Sequence, residues 1–252
     1  MKLSIPKNLI ILIFLLIISS ISLTASEQNY KWEKFGVTWL VSESKAQPRF
    51  APAASWNYTE LSNYNSIISI LHFSKFNLIQ INTEIFDRTE SPSEFMISFN
   101  VKTESQSWFY HMYAFKLTGG YWGMNKASFI YSDRLDKSKP FNTKNNIFVK
   151  ELASADCKVK YDKMYNYRVS FEGENVVLYI NDEKILSAPF PEKSHDGRIA
   201  ISSRNVKIAV DKVTVKKGNE TIFEDDFNED SIYVRVLKVK KVPAGDGQNK
   251  KP

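Results

Sequence analysis

One cysteine, Cys157, stands among 252 residues, so no disulfide can close within the chain and its stability rests on a core, which this length permits. Cys157 lies in ADCKVKYD among alternating strand residues and reads as a small buried filler. Histidine is almost as scarce. His72, His111 and His195 are scattered and lack zinc-type spacing. The chain contains no phosphate loop, no dinucleotide fingerprint and no serine-centred elbow, which sets aside the enzyme classes built on those motifs. It also has no nucleic-acid-binding motif, and no nucleic-acid partner is expected. Sustained helical periodicity is missing, which argues against a βαβ sheet.

What is present begins with the N-terminus. Lys2 and Lys7 precede the apolar stretch Leu9 to Leu23, and the small residues Thr24, Ala25 and Ser26 follow. A basic start, a short apolar run and a small-residue site describe a secretory signal peptide over 1–26, shorter than the roughly 20 apolar residues of a spanning helix. The protein is therefore expected to be exported to a periplasmic or extracellular location, with no integral membrane segment after cleavage. No cysteine lies near the cleavage region, so a lipid anchor there is excluded. The net charge of +6 falls to +4 when Lys2 and Lys7 leave, and much of the remainder sits in the tail at Lys238, Lys240, Lys241, Lys250 and Lys251. Such a tail is a solvated basic segment or a weak, non-specific attraction to anionic surfaces.

The rest of the chain alternates. Tyr165, Tyr167, Val169 and Phe171 share one face, opposed to Asn166, Arg168 and Ser170; Val176, Leu178 and Ile180 repeat the pattern after a turn. Phe76 to Ile85 alternates in the same way. Trp108 to Leu117 is apolar on both faces, which predicts a central strand covered on both sides. Asp133 to Asn146 reads as a polar loop, followed by separate strands at Ile147–Leu152 and Cys157–Tyr161. Between Val210 and Asp211 the parity of the apolar residues slips, which predicts a β-bulge. Strands recurring about every 8–15 residues indicate an all-β, two-sheet antiparallel β-sandwich. It is expected to occupy 27–216, followed by a C-terminal hairpin or truncated repeat start at 217–242 and a disordered tail at 243–252.

The segments YNYRVSFEGENVVLYINDEKIL, HDGRIAISS and VKIAVDKVTV, with FGVTWLV and FYHMYAF before them, are arranged as in the concanavalin A-like jelly rolls. The chain resembles that superfamily over about Trp32 to Val215, and most closely its secreted bacterial 3-keto-disaccharide hydrolase-type and laminin-G-like domains. TIFEDDF is similar to a segment that often opens such domains, here placed at the end. The resemblance implies a jelly roll whose concave face or rim handles carbohydrate, in a group ranging from hydrolases to pure binding modules.

On that reading His111 and Tyr113 project to the concave face, where His111 bonds a sugar hydroxyl or moves a proton as the catalytic candidate, or is simply a satisfied core residue. Trp108, His111, Tyr113 and Trp122 are the substrate-binding candidates, with Trp108, Tyr121 and Trp122 as a stacking platform. The paired carboxylates of laminarinase-type relatives are not reproduced: Glu84 and Asp87 are three apart and fall on opposite sides of a regular strand. Asp211, Asp225 and Asp226 are oxygen donors near one end of the sheet, either solvated turn residues or ligands of a structural calcium; no other cofactor is implied. The functions that follow are an exported carbohydrate-recognition domain, a hydrolase of the 3-keto-disaccharide type, or a structural or adhesive surface module.

Overall fold

Alternation builds the strands. In Leu78–Arg88, Ile79, Ile81, Thr83 and Ile85 are buried, while Leu78, Gln80, Asn82 and Glu84 are half-buried on the opposite side. The computed structural model describes residues 31–35, 39–42, 45–48, 65–88, 92–136, 138, 147–227 and 232–233, apart from 105–106. The expected signal peptide at 1–26, most of the polar loop before 147 and the tail from 234 lie outside the described residues.

The strands run β1 (Trp32–Phe35), β2 (Trp39–Ser42), β3 (Lys45–Pro48), β4 (Asn65–Ser69), β5 (Leu78–Arg88), β6 (Ser93–Glu104), β7 (Ser107–Gly120) and β8 (Gly123–Arg134). They continue with β9 (Ile147–Val159), β10 (Lys163–Glu172), β11 (Asn175–Ile180), β12 (Glu183–Pro189), β13 (Arg198–Arg204), β14 (Val206–Lys217), β15 (Glu220–Asp225) and β16 (Ile232–Tyr233). The first sheet has the order β16-β1-β4-β13-β6-β7-β8-β9. The second has the order β12-β11-β10-β5-β14-β3-β2, with β15 also paired to β14. Every pairing is antiparallel except the two-residue match of β16 to β1. No helix among the described residues is long and apolar enough to cross a membrane.

The two sheets close on an aromatic core. Phe95, Phe99, Phe115 and Phe129 of the first sheet meet Ile79, Ile81, Tyr167, Val169 and Phe171 of the second. Phe99 stacks on Phe129 with ring centroids 6.2 Å apart and meets Phe171 edge-on at 5.4 Å, the two arrangements that ring quadrupoles favour. The middle strands of the first sheet are apolar on both sides, as Trp108–Leu117 predicts: Met96, Met112, Ala114 and Ile130 form a second buried cluster on the outer face.

The bulge in β14 is where the parity slip places it. Val206, Ile208 and Val210 enter the core before it and Val213 and Val215 after it, and the register to β5 shifts between Val210 and Lys212. Two expectations are corrected. Ile147–Leu152 and Cys157–Tyr161 are not separate strands; β9 is continuous because β8 pairs with it from Arg134↔Ile147 to Met124↔Val159. Asp133 belongs to β8 rather than to a loop. The TIFEDDF segment supplies most of β15, and its last residue, Phe227, packs on Trp32 with centroids 6.1 Å apart.

Candidate functional site

At one end of the sandwich, polar groups replace the aromatic core. β7 places His111 and Tyr113 two residues apart on its inner face, and the antiparallel β8 brings Tyr131 and Asp133 beside them. The connection from β12 to β13 lies across this mouth and contributes Phe190 and Glu192. His111 Nδ1 is 3.3 Å from Asp133 Oδ2, and its Nε2 is 3.0 Å from Glu192 Oε1. Tyr131 donates its hydroxyl proton to Asp133 Oδ2 at 2.6 Å, and the backbone N–H of Arg134 donates to Oδ1 at 2.7 Å. Asn100, fully buried with φ of 51°, donates from Nδ2 to Glu192 Oε2 at 3.1 Å and to the Ser194 carbonyl at 3.0 Å. Gly197 presses on the Asn100 backbone so closely that a Cβ there would stand 2.5 Å from Asn100 Cα.

The electrostatics follow from burial and donors. Burial works to raise the Asp133 carboxyl, but the hydrogen bonds from Tyr131, the Arg134 N–H and His111 outweigh it and hold the group below its ordinary range. Burial, then the negative charge and hydrogen bond of Glu192, push the Tyr113 phenol above its ordinary value. Burial and the hydrogen bond to Asp133 do the same to Tyr131. Each ring nitrogen of His111 lies within hydrogen-bond distance of one carboxylate oxygen. The arrangement ties the β12–β13 connection to β7 and β8.

His111 and Tyr113 therefore do not project to an open concave face. They point between the sheets, because the large aromatic parity of β7 fills the inter-sheet space and the smaller Met112 and Ala114 take the outer side. Trp122 is at the other end. It and Tyr121 form the two-residue turn between β7 and β8, about 30 Å along β7 from His111 at 3.3 Å per residue. Trp122 is 94% exposed and Tyr121 74%. The turn itself is held firmly: Tyr161 donates its hydroxyl to the Gly120 carbonyl at 2.7 Å, and Gly123 lies against the Val159 carbonyl, 2.2 Å from where a Cβ would stand. Trp108 lies in β7, with its side chain outside the described residues. His195 is a packing residue, its ring stacked on Phe171 at 3.9 Å.

The three aspartates considered for calcium are not gathered into a ligand set, and among the described residues no group of three or more His, Cys, Asp or Glu is placed to hold a metal. Asp225, 3% exposed, is committed elsewhere: it accepts from Trp32 Nε1 at 2.6 Å, Lys31 Nζ at 3.1 Å and the Phe227 N–H at 3.2 Å. Asp211 occupies the β14 bulge and Asp226 is exposed.

No protein-family model matches the sequence, and no curated protein matches it. Solved structures do match the fold. The carbohydrate-binding module CBM66 from Bacillus subtilis superposes with a TM-score of 0.53, covering 75% of this chain and 97% of that one at 13% identity. The carbohydrate recognition domain of Emp46p in its potassium-bound form gives 0.51, with 74% and 88% covered at 10% identity. The fold shared with them is a two-sheet antiparallel β-sandwich of jelly-roll type. At such identities the likeness is one of architecture.

Within this jelly roll, sequence reading found His111 and Tyr113 but missed Asp133, Glu192 and Asn100. Asp133 carried a signal, since it continues the parity of Phe129 and Tyr131. Glu192 carried none, because 81 residues separate it from His111.

Proposed function

We propose that this chain is a glycan-binding jelly roll acting outside the cytoplasm, with the Tyr121–Trp122 turn as its sugar-stacking element. The observation that carries this reading is the near-complete exposure of Trp122 beside Tyr121 on a turn anchored from both sides. A tryptophan presents about 150–250 Å² of mostly apolar surface, and leaving it in water without a partner forfeits that burial. Two aromatic rings on a rigid support suit the apolar faces of sugar rings, and rigidity lowers the entropy lost on binding. The carbohydrate-binding neighbours of the same fold and the signal-like N-terminus support the reading.

A mixed glycan panel presented to the full chain, read by isothermal titration and by mass spectrometry of the supernatant, tests it. Binding that Trp122→Ala weakens while the melting temperature stays unchanged is the expected result. Binding that survives Trp122→Ala removes the turn from the site, and release of smaller sugars, 3-keto-glycosides included, converts the module into a hydrolase.

A further inference from the structure

The outer face of the second sheet carries a polar surface that the β14 bulge creates. Past Asp211 the parity of β14 reverses, so Val213 and Val215 enter the core and Lys212, Thr214 and Lys216 turn outward. There Lys212 sits opposite Asn82, Thr214 opposite Gln80 and Lys216 opposite Leu78, all on β5; on its other side Gln80 faces Arg168 of β10. With strands about 4.8 Å apart, the surface from β10 across β5 and β14 to β15 is about 14 Å wide. In it lies a depression of about 300 Å³ lined by Gln80, Asn82, Lys212, Thr214, Lys216 and Glu224.

Part of this surface is ordered by its own contacts. Lys212 Nζ is 3.0 Å from Glu224 Oε1, and Thr214 donates its hydroxyl to Glu224 Oε2 at 3.5 Å. Asn166 donates to Asn82 Oδ1 at 2.5 Å, which leaves the Asn82 amide N–H groups to donate. Other groups are left over. Lys216 is half-buried, and no carboxylate among the described residues pairs with its ammonium. On the neighbouring β10 the Arg168 guanidinium lies over the Tyr179 ring at 4.0 Å and pairs with the exposed Asp182 carboxylate at 3.5 Å, while its buried Nε has no hydrogen-bond partner. The lining therefore offers amide and hydroxyl groups matched to sugar hydroxyls, with a surplus of positive charge at Lys216 once Glu224 is matched to Lys212.

We infer that this face is a second binding site and that its ligand is an acidic polysaccharide, a chain of carboxylate-bearing sugars laid across β10, β5 and β14. The inference rests on the glycan-binding reading of the chain. Lys212 and Lys216 stand about 13 Å apart on one strand, so an extended polymer engages both while a monosaccharide reaches one. The carboxylate supplies the partner that Lys216 lacks, and the amides of Gln80 and Asn82 bond the neighbouring hydroxyls.

The test uses the full chain with polygalacturonate, the same polymer after chemical reduction of its carboxyls, and a panel of neutral glycans, read by isothermal titration at fixed salt. Polygalacturonate should bind, and the reduced polymer should bind about tenfold or more weakly, the scale of a lost charge-assisted hydrogen bond. Lys216→Glu should reproduce that loss without touching neutral-glycan binding, whereas Lys250→Glu, an equal charge change in the tail, should not. Equal binding of native and reduced polymer overturns the acidic site and leaves the glycan reading standing, as does an equal loss from Lys216→Glu and Lys250→Glu, which marks non-specific attraction. No binding to any glycan, acidic or neutral, overturns both.

Discussion

Replacing His111 with alanine discriminates between a clamp and an acid–base catalyst. The ring bridges Asp133, whose side chain is 7% exposed, and Glu192, whose side chain is 30% exposed. Removing one member of a buried pair costs about 3–5 kcal/mol when the other is left without compensation. Here Asp133 keeps the Tyr131 hydroxyl and the Arg134 N–H, Glu192 keeps Asn100, and solvent screens Glu192. The expected loss is therefore about 2–3 kcal/mol. Equilibrium urea denaturation followed by tryptophan fluorescence measures it, and His111→Gln, with one amide donor group, should recover part of the difference. The β12–β13 connection should also become more accessible to protease in the alanine variant. Unchanged stability with intact protease resistance would refute the clamp, and if glycan turnover vanished at the same time, His111 would be reassigned to chemistry.

Other consequences are equally open to measurement. Because Asp133 is held below its ordinary range, its contribution to stability is present above the unfolded carboxyl value near 4 and is lost as pH falls through the lower folded value; Asp133→Asn should flatten the acid limb of melting temperature against pH. Tyr113 and Tyr131 are held neutral in the fold, so stability should fall as pH rises past about 10, where the unfolded phenols ionise, and Tyr131→Phe should reduce that alkaline loss. Asp225→Ala strands the buried Trp32 N–H at a cost of about 1–3 kcal/mol by urea denaturation, while EDTA should leave the wild-type melting temperature unmoved; a chelator-induced drop would point to a structural metal. Cys157, 6% exposed with its thiol pushed up to about 11 by burial and the nearby Asp156 charge, should resist a thiol reagent at pH 8 until the protein is unfolded.

Strand parity was readable in advance because a pleated sheet turns successive side chains to opposite faces whatever the rest of the chain does. Leu78–Arg88, the β10–β11 hairpin and the slip at Val210–Asp211 all follow from that local rule. Which face of β7 points inward does not, because both faces of Trp108–Leu117 are apolar and only the packing of Phe99 and Phe129 against Phe171 selects one. Sequence spacing made Trp122 a neighbour of His111, yet the straight run of β7 sets them at opposite ends of the sandwich.

The remaining decisions belong to long-range contacts. Glu192 meets His111 across 81 residues and Asp225 meets Trp32 across 193, and no local pattern encodes either meeting. The sequence by itself determined an all-β sandwich, its alternating surfaces and the bulge, because these depend on neighbours one and two residues away. The tertiary structure alone decided that His111 is enclosed between two carboxylates, that Asp225 serves an indole and that Lys212, Gln80 and Arg168 share one face, since each depends on which strands become neighbours.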